Sequence, residues 1–243
     1  MENNMIVSMP SLKMKKNKSH GFEYERNSTL HVATHNGIKI IDFFLIEAIE
    51  SIEDYLDFLV ELSDAKPEDI VRVHINCYGG DVNVALNIYD ALKLTQAQTE
   101  AWVEGLCASA ASMIMLATDR WKVYPHSCVM VHAWSSVEYG KWHELKDKFI
   151  YECEFEEQFK DIYKNFMSDD EIVKCLNGKD FWFKAEETTK RLNNFQAETL
   201  SKQLEVEKIV EKYEKQMEFE IQKLKENKKP AAPKKVKKTK KEN

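Results

Sequence analysis

Ser109 lies in residues 105–117, GLCASAASMIMLA, where glycine and small residues lead into an apolar run. A serine placed where a strand gives way to a helix presents its hydroxyl on a sharp turn. The first free N–H groups of the helix then point at whatever binds beside it. Such groups can stabilise a developing oxyanion, a large part of what acyl transfer requires. Serine is a poor nucleophile until a base takes its proton, and the base works best when a carboxylate fixes its tautomer. His132 and Asp180 are of the right types for those two roles. His126, in the turn Tyr124-Pro125-His126, and His143, on a long helix, are rivals for the base. The same geometry recurs in several chain orders, so order does not choose among them. A purely structural reading also stands at this point, in which Ser109 and Ser112 are small residues at a close helix contact.

The surrounding elements narrow the choice. Residues 30–41 alternate loosely and predict one or two short strands; residues 43–63 have apolar residues at helical spacing, with Ser51 as N-cap. Residues 70–75, IVRVHI, are β-branched and alternating, a strand that runs into Asn76-Cys77-Tyr78-Gly79-Gly80. An amphipathic helix follows over 81–94, so strand, Gly-Gly and helix make the first half of a right-handed crossover. Paired glycines let backbone N–H groups approach a ligand closely, although they also make ordinary tight turns. A strand over 98–103 precedes the Ser109 helix, and short strands are expected at 120–123 and 128–132. This alternation predicts an α/β fold with a largely parallel sheet, whose strand carboxyl ends gather the Gly-Gly turn, Ser109 and His132. A long helix over 141–167 carries more aromatic residues than packing on a small sheet needs, which points to a subunit interface as much as to core. A short helix over 169–176, a strand-like piece over 181–183 and a short helix over 185–192 follow. Residues 196–226 then predict an extended amphipathic helix.

Charge is distributed unevenly. Residues 222–243 contain ten lysines and two glutamates, a net +8, so residues 1–221 carry −14 of the overall −6. Lysine runs of this kind are solvated tails, and with no aromatic residue among the lysines this one lacks the stacking platform of a specific nucleic-acid binder. The acidic body argues against nucleic acid as the main substrate. Five scattered cysteines show no zinc or disulfide spacing, consistent with reduced thiols in the cytoplasm. No apolar run reaches the length of a membrane span, and the N-terminus lacks the order of a secretory signal.

Residues 30–192 resemble the ClpP family, the proteolytic subunits of the ATP-dependent Clp protease. Four blocks carry the resemblance. Residues 75–80, INCYGG, match the family's strand and Gly-Gly turn, and residues 105–111, GLCASAA, its nucleophile segment. Pro125-His126-Ser127 with Val129-Met130-Val131-His132 matches its histidine strand, and residues 180–187, DFWFKAEE, its aspartate segment. Residues 140–144 and 177–180 are closer to divergent, phage-type members than to the bacterial housekeeping enzyme. Departures fall beside the substrate groove: Cys77-Tyr78 stands where serine-proline is usual, and Ala110-Ala111 where methionine-glycine is usual.

The resemblance implies the ClpP/crotonase-like fold with a protruding handle helix, here over 141–167; the lysine-rich helical C-terminal extension, residues 196–243, falls outside it. It implies that Ser109 is the nucleophile, His132 the base and Asp180 its orienter, that the N–H groups of Gly80 and Ala110 form the oxyanion hole, and that Tyr78 and Gly79 border the substrate groove. It further implies no cofactor or metal, a homo-oligomeric double ring (a tetradecamer), unfolded polypeptide substrates, and an AAA+ unfoldase of the ClpX or ClpA kind. The chain has no phosphate-binding Gly-x-x-x-x-Gly-Lys-Ser/Thr loop, so ATP hydrolysis is expected of that partner. Expected boundaries are a flexible segment 1–29, a protease domain 30–195, a helical extension 196–226 and a disordered basic tail 227–243. Two other functions compete: a catalytically silent ring subunit, and an acyl-CoA enzyme of the crotonase type that shares the superfold. Within the protease reading, the phage-type features raise a dedicated head-maturation role, with the lysine tail touching nucleic acid or an acidic assembly partner.

Overall fold

The structure, a computed structural model, describes residues 14–16, 22–24 and 29–227. The chain divides into two compact units, Met1–Gln196 and Ala197–Asn243. Of residues 1–28 only β1 (Met14–Lys16) and β2 (Phe22–Tyr24) are described, an antiparallel pair of their own. The rest of the expected flexible N-terminal segment lies outside the described residues, as does the expected basic tail beyond Asn227.

In the first unit, β3 (Leu30–His35) and β4 (Ile38–Leu45) form a hairpin. Its turn is Asn36-Gly37, with φ of 51° and 84°, the left-handed pair that a two-residue hairpin turn demands. Strand β4 then pairs in parallel with β5 (Ile70–Cys77), and β5 with β6 (Gln98–Ala108). On its other edge strand β6 serves two further partners. Its first half pairs with β7 (Arg120–Val123) and its last residues with β8 (Cys128–Val131), both in parallel. Strand β9 (Phe181–Lys184) closes antiparallel on β8.

Helices α1 (Leu56–Asp64), α2 (Val82–Leu94) and α3 (Ala110–Ala117) follow β4, β5 and β6 in turn. The sheet face toward them is built from Ile41, Phe43, Leu45, Val71, Val73, Ile75, Ala101 and Val103, all buried. Burying side chains of this size stabilises the fold by about 1.5–3 kcal/mol each. Every side chain of α3 is buried, so this helix is sheathed on all sides. The other sheet face is polar and aromatic. His74 stacks on Phe44 and lies between the Asp42 and Glu104 carboxylates, while Lys122 sits 3.9 Å over the Trp102 ring.

Several local expectations shift. The helix expected from residue 43 begins at Leu56, after a single 3₁₀ turn over Ile52–Tyr55. Residues 43–45 finish β4 because Ile41, Phe43 and Leu45 alternate into the core, a period of two rather than 3.6. Ser51 precedes that turn, but its hydroxyl bonds the Glu53 carboxylate instead of a helix N–H. The strand expected to end at Val103 runs on to Ala108. Helix α4 (Trp142–Tyr163) stops four residues short of its expected end, and α5 (Asp169–Leu176) begins at a Ser168–Glu171 capping box. The two helices expected over 185–192 and 196–226 form one element, α6 (Ala185–Asn227).

Arg191 is the hub of this C-terminal part of the first unit. Its guanidinium holds the Glu171 carboxylate with two bonds of 2.8 Å, bonds Glu187 at 2.7 Å, donates to the Phe166 carbonyl at 3.0 Å and lies over Phe183. The Arg191 hydrogen bonds lower the Glu171 pKa to about 2, aided by the Ser168 N–H. A carboxyl whose folded pKa is depressed stabilises the fold above its unfolded pKa, and that contribution is lost as pH falls through the folded value. Stability should therefore drop by on the order of 2–3 kcal/mol between about pH 4.5 and pH 2. In Arg191→Met this acid-sensitive component should vanish, which denaturant melts across that range would measure.

Candidate active site

The site forms where β5 and β6 end. Ser109 directly follows β6 and caps α3 with φ 55° and ψ −129°, a left-sided conformation that non-glycine residues rarely adopt. Strain of this kind amounts to about 1–3 kcal/mol and persists only where the surroundings fix it. Here both peptide groups are fixed. The Ser109 N–H donates to the Met130 carbonyl at 2.8 Å, extending the β6–β8 ladder by one rung. The Ser109 carbonyl accepts from the Ser112 N–H at 2.9 Å and from the Ser112 hydroxyl at 2.7 Å.

Beneath this turn the Ser112 hydroxyl lies 2.6 Å from the Tyr163 hydroxyl, in full burial. Burial pushes the Tyr163 pKa upward, so the phenol remains neutral and the two hydroxyls share a hydrogen bond. Helix α4 is thus tied to the backbone of Ser109 through two hydroxyls. Tyr163→Phe should cost about 1 kcal/mol of stability, read from denaturant melts.

His132 follows β8 by one residue, two positions beyond the Met130 carbonyl that holds Ser109. Its Nε2 lies 2.8 Å from Ser109 Oγ. His126 and His143 make no bond to Ser109 among the described residues. Asp180 immediately precedes β9. Val131 pairs with Phe181 in the antiparallel register, and one further step sets Asp180 opposite His132. The carboxylate is exposed, and no hydrogen bond joins it to His132 among the described residues.

The Gly-Gly turn presses directly on Ser109. A Cβ on Gly79, at φ 93°, would lie 2.7 Å from Ser109 Cβ and the Ala108 carbonyl oxygen and 2.9 Å from the Ala110 nitrogen. A Cβ on Gly80 would lie 2.0 Å from the Ile49 carbonyl oxygen. Ile49 braces the turn, donating to the Gly79 carbonyl at 2.9 Å and accepting from the Asp81 N–H at 2.6 Å. In a parallel bridge of this kind the middle residue's own N–H faces away, so the Gly80 N–H points to the side opposite Ile49. Cys77 completes the brace. Its thiol donates to the Glu47 carbonyl at 2.9 Å and accepts from the Gly79 N–H at 3.3 Å, and burial raises its pKa so that it stays a thiol. Tyr78 projects outward with 76% of its surface exposed.

Sequence reasoning missed three contributors. Asn76 sits at a bulge in the β5–β6 ladder, where its side-chain oxygen accepts the Leu106 N–H at 3.0 Å and leaves room only for glycine at 105. A polar residue ending an apolar strand was the available signal. Ile49 acts through its backbone and the Ser112–Tyr163 pair through buried hydroxyl hydrogen bonds, and neither has a sequence signature. Among the described residues no cluster of histidine, cysteine and acidic side chains could hold a metal, and no helix is long and apolar enough to cross a membrane.

A sequence model of the Clp protease family matches residues 41–191. Among curated proteins, the chain is 26% identical over 136 residues to an ATP-dependent Clp protease proteolytic subunit of Deinococcus radiodurans, covering 54% of this chain and 66% of the relative. It is likewise 26% identical over 135 residues to the subunit of that name from Bacteroides thetaiotaomicron, covering 53% and 60%. A third, from Pleurastrum terricola, is 33% identical over 88 residues, covering 35% and 43%. The chain thus spans just under two thirds of the first two relatives and less than half of the third.

Proposed function

Since the chain belongs to the Clp protease family, with a match reaching from β4 into α6, we propose that it is a serine endopeptidase subunit working through Ser109, His132 and Asp180. The observation that carries this reading is the 2.8 Å contact between Ser109 Oγ and His132 Nε2, made on a strained turn at a helix N-terminus. In acylation the Ser109 oxygen attacks the peptide carbonyl carbon and its proton passes to His132 Nε2. The carbonyl oxygen becomes an oxyanion facing the N–H groups of Gly80 and Ala110. Ala110 is the first residue of α3, where an N–H has no intrahelical acceptor, and the Gly80 N–H faces away from its Ile49 brace. The tetrahedral intermediate collapses as His132 gives the proton to the leaving amine. Water then repeats the sequence on the acyl-enzyme and releases the carboxylate product.

Asp180 is assigned to hold the His132 tautomer with the proton on Nδ1. Strand register supports this role, and catalytic hydrogen bonds that are long in a free enzyme tighten in the substrate complex. Residues 30–195 form the catalytic domain and 196–226 an amphipathic extension of it. Substrates are unfolded polypeptides delivered by an AAA+ unfoldase of the ClpX or ClpA kind into a homo-oligomeric double ring, a tetradecamer acting in the cytoplasm. Exposed apolar residues of α4, Trp142 and Phe149 among them, suit a contact between rings. That no hydrogen bond joins Asp180 to His132 among the described residues favours one second reading, a catalytically silent ring subunit.

A small fluorophosphonate tests the two against each other. Ser109 attack on phosphorus with loss of fluoride should leave a phosphonyl adduct, located on that residue by mass spectrometry of the assembled protein. An assembled particle whose Ser109 stays unmodified would sink the peptidase reading and favour the silent subunit.

A further inference from the structure

A cavity of about 540 Å³ opens between the start of β3, the end of β4 and the turn that leads into α1, and its lining includes neither Ser109 nor His132. The floor is aromatic and buried. Phe43 stacks on Phe58 with ring centroids 4.1 Å apart, and Tyr55 meets Phe43 edge to face at 5.9 Å. Tyr55 is only 6% exposed, and its hydroxyl makes no hydrogen bond among the described residues. Burial, reinforced by Cys77 and by Asp54, Glu47 and Glu50 nearby, pushes its pKa up to about 12, so the phenol stays neutral. A buried hydroxyl without a partner is unfavourable, and this one leaves its oxygen available to an incoming donor.

The rim is acidic. Glu50, Asp54 and Asp57 are exposed around the opening, and their side chains take part in no hydrogen bond or ion pair among the described residues. No lysine, arginine or histidine is among the described residues of the lining. Asp54 and Asp57 stand at the start of a helix, where the dipole favours acidic side chains. That preference explains neither Glu50 nor the unpartnered hydroxyl beneath. The carboxylates are also spread apart, since no group of histidine, cysteine and acidic side chains among the described residues converges as a metal site. Separated carboxylates above aromatic rings match an extended cation, in which ammonium groups are joined by short methylene runs.

We infer that this cavity is a binding site for a linear aliphatic polyamine. The ammonium groups pair with Glu50, Asp54 and Asp57, the methylenes lie over the aromatic floor, and one N–H donates to the Tyr55 hydroxyl oxygen. The inference stands apart from the peptidase reading, because it uses none of Ser109, His132 and Asp180. The site nevertheless backs onto the Gly-Gly turn. Glu50 directly follows Ile49, which bonds the Gly79 carbonyl and the Asp81 N–H, and the Glu47 carbonyl of the same segment accepts the Cys77 thiol. A ligand that ties Glu50 to Tyr55 therefore holds the segment that braces the turn.

Calorimetric titration of the full-length protein with spermidine, at physiological ionic strength, tests this. Saturable binding of one spermidine per chain is expected. Glu50→Gln/Asp57→Asn should weaken it about tenfold, and Tyr55→Phe, which keeps the ring in the floor, about threefold. Glu68→Gln/Glu186→Gln changes the net charge equally at exposed positions outside the lining, and should leave Kd within about twofold. N-acetyl-lysine amide, with the single ammonium that a protein side chain offers, should bind about tenfold more weakly than spermidine. Titration reads the affinity of the folded fraction, so partial unfolding of a variant lowers the stoichiometry and leaves Kd intact. Heat that does not saturate, or affinity lost equally in the two double variants, means diffuse screening of an acidic surface and overturns the inference. Unchanged affinity in Tyr55→Phe, or a lysine amide that binds as tightly as spermidine, overturns it as well.

Discussion

Ser109→Ala should lower hydrolysis of a short fluorogenic peptide by roughly 10⁴-fold or more, while particle size by light scattering stays that of the wild type. The large effect follows from the covalent step. Without the hydroxyl no acyl-enzyme forms, and only the oxyanion donors and substrate positioning are left to speed attack by water. The small structural effect follows from what Ser109 Oγ touches. Its hydrogen-bond partner among the described residues is His132, on the edge of solvent, so removing it forfeits about 1 kcal/mol or less. The backbone bonds to Met130 and Ser112 do not involve the side chain and persist. Retained activity in the variant would place the nucleophile elsewhere. Wild type and variant that both assemble and are both inert, even with a candidate unfoldase, would bring the silent-subunit reading forward.

Gly79→Ala should be among the most damaging single-methyl changes in the described residues. At φ 93° an alanine is strained by about 1–2 kcal/mol before any contact is considered. The added Cβ then meets the Ala108 carbonyl and Ser109 Cβ at 2.7 Å and the Ala110 nitrogen at 2.9 Å, none of them the far end of a flexible side chain. Overpacking of this sort adds about 1–3 kcal/mol, for a total near 3–5 kcal/mol in a denaturant melt. The three atoms are those that set the proposed nucleophile and one proposed oxyanion donor, so the molecules that still fold should lose about 10²-fold in kcat/KM. Gly37→Ala is the matched control. It has a similar φ of 84° but no atom within 4 Å of the new methyl, so it should show only backbone strain of about 1–2 kcal/mol and keep its activity.

These two substitutions also mark how far the sequence could be read. Alternating strands and helices between residues 70 and 132 were legible because buried parallel strands are short, β-branched and bounded by Gly and Pro. The convergence of the Gly-Gly turn, Ser109 and His132 at strand ends follows from that alternation. Pairwise distances do not. Nothing in GLCASAA reveals that residues 106–108 are strand, because the element is held by a two-partner ladder and an Asn76 bulge formed by distant segments. Residues 43–45 fit a 3.6 period only because of the apolar residues further on, and packing of Phe43 and Leu45 into the core makes them strand. Choosing His132 over His126 and His143 likewise needed tertiary pairing or a family resemblance. The position of Asp180 beside β9 was legible only as a residue type, since the register with β8 is a property of the closed sheet.

The split pairing of β6 has a mechanical consequence. Ser109 and His132, the proposed nucleophile and base, do not share a loop; they sit at the ends of two neighbouring strands joined over Leu106–Cys128, Cys107–Val129 and Ala108–Met130, with the Ser109 N–H as the last rung. Along such a ladder the strands can slide only in whole-residue steps, and a single step turns every side chain to the opposite face. The spacing between Ser109 and His132 therefore works as a ratchet tooth rather than a spring. Small loads on β8 leave it unchanged, and a load large enough to move it disengages the pair altogether.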